Sequence, residues 1–316
     1  MVSVDHRGDR GLMHGWIVID KPLGLGSTQG VSAVKRALRD CGYGPKLRDL
    51  PKVGHGGTLD PLATGVLPIA VGEATKLAGR MLDSDKVYDF TIRFGEETDT
   101  LDLEGTVIAV STVYPSLAQV EAVLPRFTGP IEQLPPNYSA LKVDGERAYD
   151  LARKGESFEL APRAITIHAL SVTGWTDSGA GDLMDVTLTA HVSKGTYIRS
   201  LARDIALALG TVGHVTMLRR FKAGPFTLES AISLDKLAEA AKGRTLEHCL
   251  LPLRAGLDDI PALTLEPGQA GALRQGKVLT GIAMEDGQYF ALEGETPVAL
   301  VEVSDGIVRV VRGFNL

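Results

Sequence analysis

The sequence predicts an α+β protein that ends in a small β-barrel, and three observations lead there. A chain of 316 residues is long enough for about two domains, each with its own core. Up to about residue 253, segments with apolar residues at period two are interspersed with segments at helical spacing. From about Gly256 the texture changes to short strands, expected over 262–265, 277–279, 289–292, 298–303 and 307–312, divided by glycine, proline and acidic turns. The expected organisation is a flexible N-terminal extension over 1–14, a larger domain over 15–253 and the barrel over 256–316.

Residues 15–20, Gly-Trp-Ile-Val-Ile-Asp, read as a first strand, and Lys21-Pro22 with Gly24 and Gly26 as the turn after it. Val31, Val34, Leu38 and Cys41 then keep helical spacing, with Ser27 or Thr28 as the cap. Next comes Gly-His-Gly-Gly-Thr-Leu-Asp-Pro-Leu-Ala-Thr-Gly over 54–65. With four glycines, a proline and two threonines it has neither period, so a loop is expected, followed by a buried strand over 67–71 that Gly72 ends. Asp60 stands in the loop between Leu59 and Pro61-Leu62. An unpaired carboxylate in apolar company costs several kcal/mol, so it must find a cation or lose its charge. From these residues alone, a functional acid and a turn cap before Pro61 remain equally open. A phosphate-binding loop is excluded by the absence of G-x-x-x-x-G-K-[ST] and of G-x-G-x-x-G spacing.

Downstream, 73–81 reads as a short helix carrying Lys76, and 87–94 as a strand with Tyr88, Phe90, Ile92 and Phe94 on one face. The acids of "TDTLDLEG" read as a solvated turn, because they lack the ligand order of a calcium loop. A helix is expected over 116–127, a strand over 138–143 and a helix over 148–154. Segments 163–175 and 183–192 should pair antiparallel around a turn at Gly179–Gly181. In "SKGTYIRSLARDIALALG", Ile198, Leu201, Ile205 and Leu209 form the buried stripe of a helix, with Arg199 and Arg203 off it. In the strand that follows, Val215, Met217 and Phe221 should face one way, Leu218 and Arg220 the other. An amphipathic helix over 233–241 completes this part.

Composition narrows the function classes. Hydrophobic residues make up 44% of the chain, no run of 18 or more is apolar, and residues 1–13 are charged, so neither a membrane span nor a signal peptide is expected and the cytoplasm is the expected location. Cys41 and Cys249 have no C-x-x-C partner, and the seven histidines show no ligand spacing, so neither disulfide nor metal is expected. The net charge of −6 hides a basic segment in which Lys35, Arg36, Arg39, Lys46, Arg48 and Lys52 face only Asp40 and Asp49. With Arg199, Arg203, Arg219, Arg220 and Lys222, it is expected to line an RNA path.

The string "GHGGTLDPLATGVLPIAVGEATK" closely resembles the signature of the TruB family, the pseudouridine synthases that isomerise uridine 55 in the T loop of tRNA. "IDKPLGLGS", "DSDKVYDF", "QLPPNYSALKVDGERAYDLARKGE", "GTYIR" and "VGHVTMLRRFKAGPF" extend the resemblance over nearly the whole chain, although Thr28-Gln29 stands where the family usually has another polar pair. "GQAGALRQGKVL" resembles, more weakly, the start of the RNA-binding PUA domain. The resemblance implies a mixed, largely antiparallel sheet with helices around it, a base-flipping isomerisation needing no metal or cofactor, and the T arm of tRNA as partner; a monomer is expected. It implies that Asp60, Tyr88 and Arg199 are catalytic, with Arg199 pairing Asp60. It implies substrate contacts from His55, Tyr88, Tyr197 and Leu218, with Lys21 supporting the loop; Lys21 and Lys76 are also expected to reach substrate. Two alternatives stay in view: an RNA-binding or RNA-folding protein without catalysis, and an aspartate-dependent hydrolase, which would normally need a second carboxylate.

Overall fold

The computed structural model describes residues 13–44, 49–179 and 181–316. Residues 1–12 of the expected extension, Lys46 and Arg48 of the basic segment, and Ala180 of the predicted turn lie outside the described residues. Met13 and His14 are packed: Met13 is buried, and His14 Nδ1 accepts the Glu73 N–H at 3.0 Å.

A ten-stranded mixed sheet carries the larger part of the chain. Across it the order is Leu251–Pro252, Gly15–Lys21, Ala63–Val71, Gly213–Ala223, Lys86–Phe94, Leu183–Val192, Arg163–Asp177 and Gly129–Gln133, with Val53–His55 and Phe226–Thr227 on side branches. Every neighbouring pair on that path is antiparallel except Gly213–Ala223 beside Ala63–Val71, which is parallel. This is the α+β arrangement expected.

Helices cover one face in two groups. Ile198–Ala208 and Leu117–Val123 seal a core of Phe90, Ile92, Val186, Leu188 and Val215, while Ser27–Cys41 and Leu234–Gly243 seal a second one of Ile17, Ile19, Leu67 and Ile69. The alternation of Phe90, Ile92 and Phe94 toward the first core is the pleat at work. Tyr88 and Leu218 are half-buried against both cores and so occupy the seam between them.

The C-terminal part is a five-stranded half-barrel, ordered Ala262–Thr264, Gly287–Glu293, Thr296–Ser304, Ile307–Gly313 and Leu279–Thr280, with the short helix Gln269–Arg274 packed on it. Four of the five expected strands are present, and the one expected over 277–279 is shifted to Leu279–Thr280. No ladder joins its two edges among the described residues, so the expected barrel is open. Leu300 and Phe314 share a third core with Trp16, Val66, Ala70 and Leu253, which docks the half-barrel on the other face of the large sheet.

Several local expectations are corrected by tertiary contacts. The strand after the Asp60 loop starts at Ala63, because Ala63, Thr64 and Gly65 pair with Leu218, Arg219 and Arg220. Gly65 has φ +100°, and a Cβ there would stand 2.2 Å from the Arg220 carbonyl, so this close pairing admits only glycine. Val53–His55 also pairs with that strand, so the expected loop is a strand at both ends. Residues 73–81 form a 3-10 turn, Gly72–Leu77, before the helix Ala78–Asp83. The expected strand over 138–143 is reduced to Lys142–Val143 in a small hairpin. Met217 is exposed whereas Val215 is buried, because a bulge between them shifts the register and turns the strand's faces over. The helix expected to be capped by Ser27 or Thr28 is instead capped at Gly26, whose N–H donates to Gln29 Oε1 at 2.7 Å. That is the role Gln29 plays here, and Ser27 is released for another.

Candidate active site

Five consecutive peptide carbonyls, from Gly57 to Pro61, each accept a hydrogen bond, which fixes the backbone around Asp60. Arg220 donates to Gly57 O at 3.1 Å and to Thr58 O at 3.2 Å, and its Nε reaches Val66 O at 2.8 Å. The Ser27 hydroxyl donates to Leu59 O at 2.9 Å and accepts the Leu59 N–H at 2.8 Å. Asp60 O takes the Ala63 N–H at 3.0 Å, and Pro61 O takes both the Gly24 N–H at 2.8 Å and the Lys21 ammonium at 3.2 Å. A loop with no internal period is therefore built from outside by three side chains and two turns.

The Asp60 carboxylate projects from this frame to meet Arg199 Nη2 at 3.0 Å; the aspartate side chain is 40% exposed and the arginine only 8%. Arg199 comes from the first turn of the Ile198–Ala208 helix and is spread over further partners: Thr100 O at 2.8 Å, Tyr138 O at 3.0 Å and Asp102 Oδ2 at 3.6 Å. A buried guanidinium thus stands between one open carboxylate and one buried one. The two carbonyl partners fix the guanidinium from behind, so its charge stands in one place beside Asp60. The "TDTLDLEG" turn is not solvated as expected. Thr98, Thr100 and Asp102 are buried, and Asp102 Oδ1 accepts from Thr100 Oγ1 at 2.6 Å and the Glu104 N–H at 3.0 Å. Burial, together with the charges of Asp102 and Asp60, pushes the neighbouring Glu104 carboxyl up.

Around this pair the structure gathers most of the expected site residues. Leu218 lies beside Ala63, on the strand that follows Asp60, and opposite Phe90, while Tyr88 lies one strand further on, opposite Arg220. Tyr197 caps the Arg199 helix, and its backbone N–H and C=O are both held by the Gln133 amide, at 2.8 and 3.1 Å. Burial pushes the Tyr197 hydroxyl up, and Asp60 adds to that. His55 pairs with Ile69 across the ladder; its Nδ1 is buried with no hydrogen-bond partner, and burial and Arg220 both lower its pKa, so the ring is neutral.

Two expected substrate contacts are placed elsewhere. Lys21 is fully buried and donates to Pro22 O, Leu25 O and Pro61 O, so it supports the loop and cannot touch substrate. Burial brings its pKa down to about 8. Lys76 binds Glu73 at 2.6 Å and Gly313 O at 2.8 Å, and Glu73 accepts the Asn315 N–H at 2.8 Å, which ties the half-barrel to the large sheet. In the second basic cluster Arg220 and Arg199 are internal braces and Arg219 makes a bidentate pair with Asp20 at 2.9 and 3.1 Å, whereas Lys222 is exposed and Arg203 partly so. Ser27, Asp102 and Arg220 are the residues that sequence reasoning missed in these roles. Only the inward alternation of Arg220 with Leu218 gave a signal.

Solved structures share this architecture. An H/ACA ribonucleoprotein bound to a substrate RNA containing 2′-deoxyuridine aligns with TM-score 0.70 at 24% identity, over 96% of this chain and 85% of that one. A Cbf5-Nop10-Gar1 complex aligns with TM-score 0.69 at 25% identity, over 95% and 85%. The fold is that of the pseudouridine synthases. The family described as "TruB family pseudouridylate synthase (N terminal domain)" matches residues 46–198, and the "tRNA pseudouridylate synthase B C-terminal domain" matches 199–258. The chain is 67% identical over 305 residues to the tRNA pseudouridine synthase B of Novosphingobium aromaticivorans, covering 96% of this chain and 98% of that one. It is 58% identical over 303 residues to that of Zymomonas mobilis, with 96% of each covered. The chain belongs to the TruB family of pseudouridine synthases. It is therefore an isomerase. No helix among the described residues is long and apolar enough to cross a membrane.

Proposed function

We propose that the chain isomerises uridine 55 in the T arm of tRNA to pseudouridine, acting as a monomer in the cytoplasm, with its C-terminal half-barrel as a PUA-like RNA-binding unit. The observation that carries this reading is the Asp60–Arg199 pair, a single part-exposed carboxylate set against a buried guanidinium, with Tyr88 and Leu218 half-buried at the seam between the two cores. A uridine stacked within a T loop cannot be attacked in place, so it is flipped out at a cost of a few kcal/mol. Stacking of the flipped uracil between Tyr88 and Leu218 offsets part of that cost, roughly 1 to 3 kcal/mol. The neutral ring of His55 occupies the space the base leaves in the RNA stack. Tyr197 borders the pocket.

Asp60 initiates cleavage of the N1–C1′ bond, the uracil turns, C5 bonds to C1′, and the proton on C5 leaves through the Tyr88 hydroxyl to solvent. Atoms balance without a cofactor: one C–N bond is exchanged for one C–C bond, and the proton lost from C5 is matched by one gained at N1. The test is tritium release from a tRNA transcript carrying 5-tritiated uridine, with enzyme well below substrate. The expected result is one tritium per tRNA from the wild type, none from Asp60→Asn, and none when the T-loop uridine is replaced. Binding without release by either protein would make the chain an RNA-binding or folding protein, and free uracil would make it a hydrolase.

A further inference from the structure

Asp85, His168 and His191 converge at the end of the large sheet where the strand carrying Tyr88 begins. His168 Nε2 lies 3.1 Å and His191 Nε2 3.7 Å from the same oxygen, Asp85 Oδ2, and the two imidazole rings are tilted at 48° with centroids 4.7 Å apart. One histidine suffices to pair a carboxylate, and a second ring aimed at the same oxygen is a donor set rather than an ion pair. The three groups come from three neighbouring strands. Asp85 directly precedes Lys86–Phe94, His191 lies opposite Val87 in Leu183–Val192, and His168 is the extra residue of a bulge in Arg163–Asp177 that leaves both it and Ala169 opposite His191. A bulge that re-aims a side chain in this way is a common device next to sites. Because Tyr88 points toward the cores, Val87 and His191 lie on the opposite, solvent-facing side of the sheet.

We propose that Asp85, His168 and His191 bind one divalent transition-metal ion of the zinc, cobalt or nickel class. All three ligand atoms lie within 4.8 Å of one another. Bonds of about 2.0 to 2.1 Å to imidazole and carboxylate in a tetrahedral site place ligand atoms roughly 3.3 to 3.4 Å apart, and the two separations here bracket that value. Two imidazoles and one carboxylate are borderline ligands, which select these ions over magnesium or calcium. The one remaining coordination position opens to water. The sequence conceals the site because residues 85, 168 and 191 share no motif spacing; only the sheet brings them together. The bound ion cross-links three strands at the root of the one that carries Tyr88.

The test uses the untagged full chain, stripped with chelator and titrated with Co²⁺ and then Zn²⁺. The expected result is saturation at one equivalent with a visible Co²⁺ absorption band, and a rise in Tm that chelator reverses. Asp85→Asn and His191→Ala should each weaken binding by more than about tenfold while leaving the metal-free Tm close to wild type; His168→Ala replaces either variant that fails to fold. Absence of saturable binding by the wild type, or binding by the variants equal to it, would overturn the proposal.

Discussion

Ser27 holds Leu59 by both of its backbone polar groups, through one hydroxyl that donates at 2.9 Å and accepts at 2.8 Å. Leu59 directly precedes Asp60 and its side chain is buried in the core beneath the Ser27–Cys41 helix, so the hydroxyl and the core together set where the carboxylate leaves the backbone. The position that a sequence pattern assigns to a helix cap thus serves a loop 32 residues away.

Ser27→Ala should leave a buried N–H and a buried C=O unpaired, a loss of about 1 to 3 kcal/mol. Because a small misplacement of a reacting group can cost up to about a hundredfold in rate, kcat for tritium release should fall far more than KM rises. Urea unfolding and steady-state kinetics on the same preparation check both, and unchanged kcat would show that the hydroxyl has no positioning role.

Arg220→Lys keeps the charge but cannot span Gly57 O, Thr58 O and Val66 O. Isomerisation should drop steeply, while tRNA affinity and its dependence on salt stay as in the wild type. An RNA-contacting arginine would instead weaken binding and lower the salt slope by about one, so the slope decides between brace and contact.

Arg199→Lys should behave differently again. Losing the bonds to Thr100 O and Tyr138 O frees the cation from its fixed orientation, and the Asp60 carboxylate loses a charge held in place beside it. A decrease in kcat of about 10² to 10³ is expected, the size seen when a single preorganised electrostatic donor is removed. Stability should fall as well, because Asp102 is buried behind it. Wild-type turnover by this variant would show that Arg199 neither orients nor supports Asp60.

Burial brings both Lys21 and Lys86 down to about 8 from 10.5. Below pH 8 each lysine is protonated in the folded and the unfolded chain alike. Between about pH 8 and 10.5 the folded protein has shed protons that the unfolded chain still holds, so these two groups make stability rise with pH across that window. Lys86, whose ammonium binds the carbonyls of Met81, Leu82 and Ser84, is the one farther from Asp60 chemistry. In Lys86→Met the rise in unfolding free energy from about pH 7.5 to 9.5 should be smaller than in the wild type. Equal slopes in urea unfolding would contradict the assignment.

The strands and helices with a strong period were legible in the sequence. Tyr88, Phe90, Ile92 and Phe94 announced their strand by alternation, and Ile198, Leu201 and Ile205 their helix by spacing, because those side chains meet the core on one face of their own element. The half-barrel strands were legible in another way, through short apolar stretches spaced between glycine, proline and acidic turns. Asp60 was legible as a lone acid in a segment too rich in glycine and proline to be regular, and the long signature around it identified the family.

The sequence by itself thus determined the strongly periodic elements, the family and the acid, since each is written in residues adjacent along the chain. Only the tertiary structure decided what surrounds that acid. Lys21, Ser27, Arg199 and Arg220 converge on six residues from four elements remote in sequence, and their targets are mostly backbone carbonyls, which every residue carries and no pattern reveals. Asp102 likewise became a buried brace and not a solvated turn once Arg199 closed over it. A side chain's role here follows from which backbone it can reach after folding, and that distance exists only in three dimensions.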